Sequence, residues 1–535
     1  MDRRGFFKAG IAAAGAGAVL PTAAMVAPVS AGSPRTARPG ESPYGPLSET
    51  PDENGLLLPE GFTARVIAIG GELVPGTDHE WHLFPDGAAT FDDGNDGWYY
   101  VCNSEVFHFM KPDSGGVSAI HFDSDGSIID AYRILDGSNS NCAGGPTPWG
   151  TWLSCEENFE DIGRVWECDP TGQAPAVAHP AMGLWAREAA AVDPVDQRVY
   201  MTEDNFEGLL YRYTPDNYPD LSSGSLEACT VGADGSVSWS PVADPSGVSA
   251  KTREQVPGAT VFQRGEGIWY FDGWIYFCTT ADHSVHGIDL RNETYTLIWK
   301  GDPEGLGVED AVLSHVDNIT VDEGSGDLVV AEDGGNMELV IITPDGVVAP
   351  LVRVVGQGHE ESEMTGPVFN PTRDRLYFSS QRGPSPRTVP DIMPDITPIA
   401  ALGTEGPNAG ITYEISGPFR GRIVAPVAPP VTEPPPETTV PETTVPETTE
   451  PQATEPPPTT LPSPVDTLAG AAPEAQTDVA EVVAADSSNQ GGSGLLIGGS
   501  VAAVAAAAIV GGAMVLRQRR MGDATDEPTG ETPTD

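Results

Sequence analysis

Basic side chains are scarce in this chain. It has 535 residues, of which 27 are Lys or Arg and 78 are Asp or Glu, and its formal net charge at pH 7 is −51. Such a chain has few of the cations that neutralise a phosphate backbone, so we expect no nucleic acid as a stable partner. The excess of acidic residues is compatible with cation binding or with a high-salt habitat. A solvated acidic surface, however, explains most of the negative charge.

Cysteine is sparse as well, with six residues in the whole chain. No two of them have the Cys-x-x-Cys spacing, which argues against the common structural zinc sites. Disulfides are permitted in an oxidising compartment, and Cys155 with Cys168 is a candidate bridge across a hairpin. The sequence alone leaves the pairing open.

Helical periodicity is almost absent between residues 44 and 424, where short β-rich runs alternate with Gly, Pro, Asp and Asn turns. One strand pattern returns along this region, and its polar ends fall at residues 105, 157, 204, 282, 333 and 382. A strand repeat of about 50 residues is typical of β-propeller blades. We therefore predict an all-β propeller of about six blades over residues 44–424, with an insertion near 217–255. A large β-sandwich is the alternative.

The N-terminus has the features of an export signal. Arg3 and Arg4 precede Phe-Phe-Lys and an apolar run, and a small-residue cleavage site ends at Ala31. This pattern favours a twin-arginine signal peptide over residues 1–31, with an ordinary Sec signal as the alternative. We therefore predict that the twin-arginine translocase exports the folded protein.

The C-terminal part has the composition of a stalk and an anchor. Residues 426–493 are rich in Pro, Thr and Glu and predict a disordered linker. Residues 494–516 are apolar and uncharged, long enough for a transmembrane helix. The basic residues after this span keep the acidic tail, 517–535, in the cytoplasm. We predict a single-pass protein of the cell membrane with an extracellular propeller; the rival interpretation of the span is a buried core helix.

The repeat also predicts where acidic side chains meet. Equivalent strands of successive blades run in the same direction, so their ends lie on one face of a propeller. Acidic residues occupy most of these ends, and others stand just ahead of the inner strands: Glu156, Glu157, Glu188, Glu203, Asp204, Glu266, Asp317, Glu332 and Asp333. A ring of carboxylates repels itself unless cations such as calcium bind between the oxygens. For each residue alone, a turn residue that caps a blade loop is the alternative.

One stretch carries a family resemblance. Residues 141–158 read Asn-Cys-Ala-Gly-Gly-Pro-Thr-Pro-Trp-Gly-Thr-Trp-Leu-Ser-Cys-Glu-Glu-Asn. Together with the motifs that begin at Arg187, Thr202 and Ala331, this stretch resembles the signature of the PhoX-type secreted alkaline phosphatases. The likeness runs from about residue 78 to residue 422 and is greatest to a compact, membrane-anchored subgroup.

The resemblance implies a β-propeller whose site combines ferric iron and calcium. Matched residue by residue, Cys142 is the iron-binding thiolate, and Glu188 and Glu266 are iron carboxylates. The ligands that the resemblance shares among calcium and iron are Glu156, Glu157, Glu203, Asp204, Asp317, Asn318, Glu332 and Asp333.

The resemblance also implies hydrolysis of small phosphate esters, in which a metal-bound oxide or hydroxide attacks phosphorus. Arg187 or Arg382 would stabilise the developing charge, and Arg187 stands where the family usually has His. Two alternatives are a non-catalytic, calcium-stabilised surface propeller that binds a partner, and a propeller lactonase-type hydrolase with one calcium. Cys142 discriminates between them, because a thiolate beside carboxylates suits iron and has no role in either alternative.

Overall fold

The computed structural model describes residues 37–301, 312–360 and 362–423, which form six sheets. The segments predicted as signal peptide, linker, membrane helix and tail lie outside these described residues: 1–31, 426–493, 494–516 and 517–535. Within the described ranges, no helix has both the length and the apolar character needed to cross a membrane.

Strands make up nearly all of the regular structure. In chain order they are β1 (Arg38–Pro39), β2 (Leu56–Leu57), β3 (Thr63–Ile69), β4 (Pro85–Asp92), β5 (Trp98–Ser104), β6 (Gly115–Phe122), β7 (Ile128–Ser138), β8 (Asn141–Pro146), β9 (Trp152–Glu156), β10 (Val165–Cys168), β11 (Val177–Ala178), β12 (Arg187–Asp193), β13 (Arg198–Glu203), β14 (Tyr211–Asn217), β15 (Asp220–Val231), β16 (Val237–Pro241), β17 (Gly265–Phe271), β18 (Trp274–Thr279), β19 (Ser284–Asp289), β20 (Thr294–Lys300), β21 (Val316–Asp322), β22 (Asp327–Glu332), β23 (Glu338–Ile342), β24 (Val347–Val354), β25 (Met364–Phe369), β26 (Arg375–Ser380) and β27 (Ile411–Ser416). Helix in the described chain is limited to α1 (Val389–Ile392) and the short 3-10 segments Pro180–Met182, Thr252–Glu254 and Ala400–Leu402.

Each sheet is one blade. Blade 1 contains β4–β7, blade 2 β8–β11, blade 3 β12–β16, blade 4 β17–β20, blade 5 β21–β24 with β1 and β2 added, and blade 6 β25–β27 with β3. The first strand of each of these blades contacts the first strands of both neighbouring blades, so the inner strands close a ring. The prediction of a six-bladed all-β propeller is therefore confirmed. The long interval in the repeat falls in blade 3, which carries the additional strand β16.

The hydrophobic core is divided among the blade interfaces. One cluster of buried side chains lies between each pair of neighbouring blades. This follows from the alternation of side chains along a strand, which gives each blade two apolar faces. Near the axis the blades approach so closely that a Cβ on Gly145 would lie 1.8 Å from the carbonyl oxygen of Ala190 in the next blade.

Blade 6 closes the ring with strands from both ends of the described chain. Strand β3 pairs antiparallel with β27, so an early strand completes a blade that is otherwise built from late strands. The buried carboxylate of Glu414 joins them: it accepts hydrogen bonds from Arg65 at 2.8 and 3.0 Å, from Arg375 at 2.6 Å and from the Tyr377 hydroxyl at 2.9 Å. The closure therefore depends on a charged network as well as on strand pairing.

We expect Glu414→Gln to lower the free energy of unfolding by about 3 kcal/mol, because it leaves two arginines beside a neutral amide. Chemical denaturation of the propeller domain measures this change. Asp136→Asn is the matched control, since Asp136 pairs with Arg133 at 2.8 Å but has a side chain that is 81% exposed. Its effect should stay within about 1 kcal/mol. Equal unfolding midpoints for the two variants would contradict a closing role for Glu414.

All six cysteines lie among the described residues, where each is buried and none forms a disulfide. The candidate bridge between Cys155 and Cys168 does not form, because Cys155 lies opposite Val165 and Cys168 opposite Trp152, at the two ends of the β9–β10 pair. Burial raises the pKa of Cys155 to about 12, so this side chain remains a protonated thiol at neutral pH.

Candidate metal centre

One hydrogen bond recurs in every blade and defines equivalent positions at one end of the propeller. The residue just after the second strand donates its N–H to the carbonyl oxygen of the residue just ahead of the inner strand, at 2.8 to 3.1 Å. The six donor and acceptor pairs are Glu105 and Phe84, Glu157 and Ser140, Asp204 and Ala186, Thr280 and Arg264, Asp333 and His315, and Gln381 and Glu363. This end of the molecule therefore carries a sixfold set of matched positions.

The second residue of each inner strand forms another matched set: Asp86, Cys142, Glu188, Glu266, Asp317 and Thr365. The pairing of each inner strand with its neighbour shifts by a bulge just beyond the strand start. A bulge redirects a side chain out of the regular pleat. Five of these six positions hold a carboxylate or a thiol, and all five are at most 1% exposed.

These positions bring nine side chains into four overlapping groups. Within each group, one ligand atom per residue lies within 4.8 Å of the others; the groups are Asp86, Glu105 and Cys142; Cys142, Glu157 and Glu188; Glu188, Glu266 and Asp317; and Asp317, Asp333 and Glu363. Because Cys142, Glu188 and Asp317 each belong to two groups, the nine residues form one continuous arc, which we call the candidate metal centre.

The candidate metal centre concentrates anionic groups that burial disfavours. Burial, reinforced by the neighbouring carboxylates of Asp204, Asp317 and Glu188, raises the pKa of Glu266 well above its usual range, while Arg264 opposes the shift. Cations relieve such repulsion and use the same oxygens as ligands. The two groups without cysteine are oxygen-only and suit calcium, and the groups that contain the Cys142 thiol suit a softer metal such as iron.

Six of the predicted ligands meet in this arc: Cys142, Glu157, Glu188, Glu266, Asp317 and Asp333. The other five predicted ligands are not members of the groups, and three of these five are held by hydrogen bonds elsewhere. The Glu156 carboxylate accepts main-chain N–H groups of Asn139 and Arg164, each at 3.0 Å. Glu332 accepts the N–H of Ser314 at 2.8 Å.

Glu203 is the third of the predicted ligands that are held by hydrogen bonds elsewhere. Its carboxylate accepts the hydroxyl of Tyr211 at 2.8 Å, the N–H of Leu209 at 3.1 Å and Nη1 of Arg253 at 2.6 Å. Glu156, Glu203 and Glu332 are each the first residue of an acidic pair. Because side chains alternate along a strand, the first residue of the pair faces away from its successor.

Asp204 and Asn318 border the arc without joining a group. Asp204 accepts a two-pronged ion pair from the fully buried Arg264, at 2.8 and 2.9 Å, and the same guanidinium lies 3.0 Å from Glu266. Asn318 donates to the Asp317 carboxylate at 3.0 Å and accepts the N–H of Gly366 at 2.7 Å. Asp204 therefore positions Arg264 beside Glu266, and Asn318 positions Asp317.

The two predicted arginines lie in different surroundings. Arg187 is the first residue of its inner strand and is directed into the core between blades 2 and 3. There its guanidinium stacks 3.5 Å above the Trp185 ring and donates to the carbonyl oxygen of Gly183 at 2.6 Å. Arg382 lies at the arc, where it donates to Glu363 at 3.2 Å and to the Gln381 side chain.

Five residues of this region were not predicted as site residues: Asp86, Glu105, Arg264, Glu363 and Gln381. Gln381 joins two of them, because its amide donates to Asp86 at 2.5 Å and to Glu105 at 2.7 Å. Glu105 ends the first copy of the repeat, and aligning the copies would also have placed Asp86 with Glu188. Arg264 and Glu363 precede their strands, so only the sixfold hydrogen bond reveals their equivalence.

A family model described as alkaline phosphatase PhoX matches residues 115–383, which span seven of the nine arc residues. The chain belongs to the PhoX family. This assignment confirms the resemblance and supports phosphate-ester hydrolysis as the activity. Among curated proteins, no match was found.

Among solved structures, one shares the fold of this chain. Pseudomonas fluorescens PhoX in complex with vanadate, a transition state analogue, matches with a TM-score of 0.53 and 18% identity, over 68% of this chain and 96% of that one. A Bacteroides thetaiotaomicron protein of unknown function matches with a TM-score of 0.38 and 10% identity, over 66% and 76% of the two chains. Regucalcin from Agrobacterium tumefaciens, described as a calcium-binding protein, has a TM-score of 0.30 and 15% identity, over 63% and 92%.

Proposed function

We propose that this chain is an extracellular phosphatase that hydrolyses small phosphate esters at a centre of ferric iron and calcium. The observation that carries the proposal is the position of Cys142, whose buried thiol lies 3.4 Å from Asp86 and 3.1 Å from Glu188. A thiol held between carboxylates offers a mixed sulfur and oxygen ligand set, which suits iron better than calcium.

The arc fits several cations. The residues that would hold iron are Cys142 with Glu157 and Glu188, and those that would hold calcium are Glu266, Asp317, Asp333 and Glu363. When bound, the cations would supply positive charge for the phosphate oxygens and lower the pKa of the water that attacks phosphorus.

The chain's own contribution is orientation and charge. Arg264 donates to Asp204 and lies 3.0 Å from Glu266 as an ion pair, so its guanidinium is fixed in a region of negative charge where a phosphate oxygen would lie beside it. Arg382 has a similar position beside Glu363, in the last group of the arc. We propose that these two arginines hold the ester and stabilise the negative charge that develops on its oxygens.

The amide of Gln381 complements them by fixing ligands. It donates to Asp86 and Glu105 from one nitrogen, which holds both carboxylates in place in the group that contains Cys142. Ligands that are oriented by such hydrogen bonds bind metal more tightly than mobile ones.

We further propose that the propeller is exported by the twin-arginine route and anchored by residues 494–516, as the sequence predicts. The geometry of blade 6 suits this topology. The last described residue, Ile423, donates its N–H to Thr372 at 3.0 Å, in the turn between β25 and β26. That turn lies at the opposite end of β25 from Glu363, so the last described residue is at the end of the propeller away from the candidate metal centre.

Adjacent glutamates give a matched test of the metal assignment. We expect Glu157→Gln to weaken metal binding by about 10- to 100-fold and to lower phosphatase activity in parallel, because Glu157 shares a group with Cys142. Glu156→Gln is the control, since this carboxylate bonds main-chain N–H groups outside the arc. Metal analysis and assays with aryl phosphates measure both. Equal metal content and activity in the two variants would contradict the assignment.

The purified wild-type protein distinguishes the iron-dependent phosphatase from the two alternative functions. A colourless, iron-free wild-type domain that leaves aryl phosphates intact with calcium present would exclude the iron-dependent phosphatase. Lactone hydrolysis by that preparation would then favour the lactonase-type alternative, and inertness toward both substrates would favour a binding propeller.

A further inference from the structure

The loops at the end of the propeller that carries the candidate metal centre differ in a regular way. In blades 1 to 3, a phenylalanine stands two residues after the acidic residue that follows the second strand: Phe107 after Glu105, Phe159 after Glu157 and Phe206 after Asp204. The equivalent positions of blades 4 to 6 are Asp282, Gly335 and Gly383. Among these six equivalent positions, the aromatic residues are therefore confined to blades 1 to 3.

Two of these rings, Phe107 and Phe159, form a cluster with the ring of Phe109, which we call the aromatic ladder. Phe107 stacks on Phe109 with ring centroids 5.1 Å apart and planes inclined by 10°. Phe107 also lies 6.4 Å from Phe159, with an inclination of 29°. Phe107 is thus within aromatic stacking distance of two rings, one from its own loop and one from the next blade, an arrangement that offers flat apolar faces.

The ladder has a fixed base and an open end. Phe107 is buried in a cluster with Leu83 and Met110, and this cluster includes Val389 of α1. Phe109 is 40% exposed. A ring that is exposed at the end of a packed stack is a preorganised surface, so a ligand ring can stack on it without the protein first becoming ordered.

The base of the ladder is close to the candidate metal centre. Phe107 and Phe159 are each two residues from a member of the arc, a separation that spans at most about 7 Å of backbone. A phosphate held beside Glu105 and Glu157, the arc members of blades 1 and 2, would therefore leave its ester group near these rings.

We propose that Phe109, Phe107 and Phe159 form a stacking platform for the alcohol part of the substrate, so that the phosphatase prefers esters of planar aromatic alcohols over aliphatic ones of equal size. This inference rests on the proposed phosphatase function. Stacking on an exposed ring corresponds to a preference of about 3- to 10-fold in kcat/KM.

The test compares benzyl phosphate with cyclohexylmethyl phosphate in the metal-loaded protein. Both are primary esters of similar size, and only the benzyl group is planar and aromatic. We expect the wild type to prefer benzyl phosphate by about 3- to 10-fold, and Phe109→Leu to bring the ratio close to one. Phe109→Trp should keep the preference. Ile129→Ala is the control, because Ile129 is 52% exposed on β7, which starts at the opposite end of blade 1.

Binding of the matching phosphonates, measured by calorimetry, gives the same comparison without turnover. Equal rates and affinities for the two compounds in the wild type, or an unchanged preference in Phe109→Leu, would contradict the stacking platform. The proposed phosphatase function would be unaffected by either result. Failure of the wild type to hydrolyse either ester or glycerol phosphate would instead remove the proposed function, and this inference with it.

Discussion

Replacing Cys142 by Ala is expected to give a protein that is colourless, contains no iron and has lost more than about 100-fold in kcat/KM toward aryl phosphates. The lower bound follows from changes to residues behind metal ligands, which already reduce affinity or activity by about 10- to 100-fold. Cys142 belongs to two of the four groups in the arc, so its loss affects both. Visible absorption, metal analysis and steady-state kinetics measure the three effects.

The control for this variant is Cys155→Ala. Cys155 is also fully buried in blade 2, but it packs with Leu153, Val165 and Trp185 in the core between blades. Its thiol stays protonated, and its loss should lower stability without changing colour or iron content. An iron-containing, coloured and active Cys142→Ala protein would show that the thiol is not a ligand.

A second substitution at Cys142 distinguishes the effect of the sulfur ligand from the effect of its negative charge. Cys142→Asp retains an anionic ligand but has no sulfur, so we expect it to bind metal while losing the absorption that a ferric thiolate produces. Retention of that band in Cys142→Asp would assign the colour to other ligands.

The number of blades could be predicted from the sequence because strand ends recur at a nearly constant interval. The position of the candidate metal centre followed from the same repeat, since equivalent ends must lie on one face. Glu157 and Asp333 illustrate this, because both follow a second strand and both have side chains that meet others in the arc.

The choice within each acidic pair could not be predicted in the same way. Glu156 and Glu157 are chemically alike, and an error of one residue in the strand end exchanges the side chain that faces the arc. Arg187 shows the same effect, because it stands one position before Glu188 and is directed into the core. The bulges that set these directions leave no mark in residue composition.

Other parts of the site depend on contacts between distant segments. Gln381 and Asp86 meet only when blade 6 closes against blade 1. Glu363 enters the arc with Asp317 and Asp333 of blade 5. The predicted signal peptide, linker and membrane span lie outside the described residues and remain predictions.

The second large effect is expected for Arg264→Lys, which should lower kcat by about 100- to 1000-fold, the loss typical for a donor aimed at developing negative charge. Lysine retains the positive charge but lacks the planar guanidinium, which donates two hydrogen bonds to Asp204 at 2.8 and 2.9 Å. The carboxylates of Asp204 and Glu266 therefore keep a cation near them, and we expect the protein to fold and to bind metal. Kinetics together with metal analysis separate these properties.

Arg253→Lys provides a matched control in the same region. Arg253 also joins two carboxylates, Asp161 at 2.7 Å and Glu203 at 2.6 Å, but none of these residues belongs to the arc. Both variants lose a buried fork, so both should be less stable, and only Arg264→Lys should be slow at saturating substrate with its metals in place. If the two variants lose activity equally, the role of Arg264 is to hold the fold. If only Arg264→Lys is slow with its metals in place, its guanidinium acts at the arc, because Arg264 lies 3.0 Å from Glu266 of the arc whereas Arg253 contacts none of the arc residues.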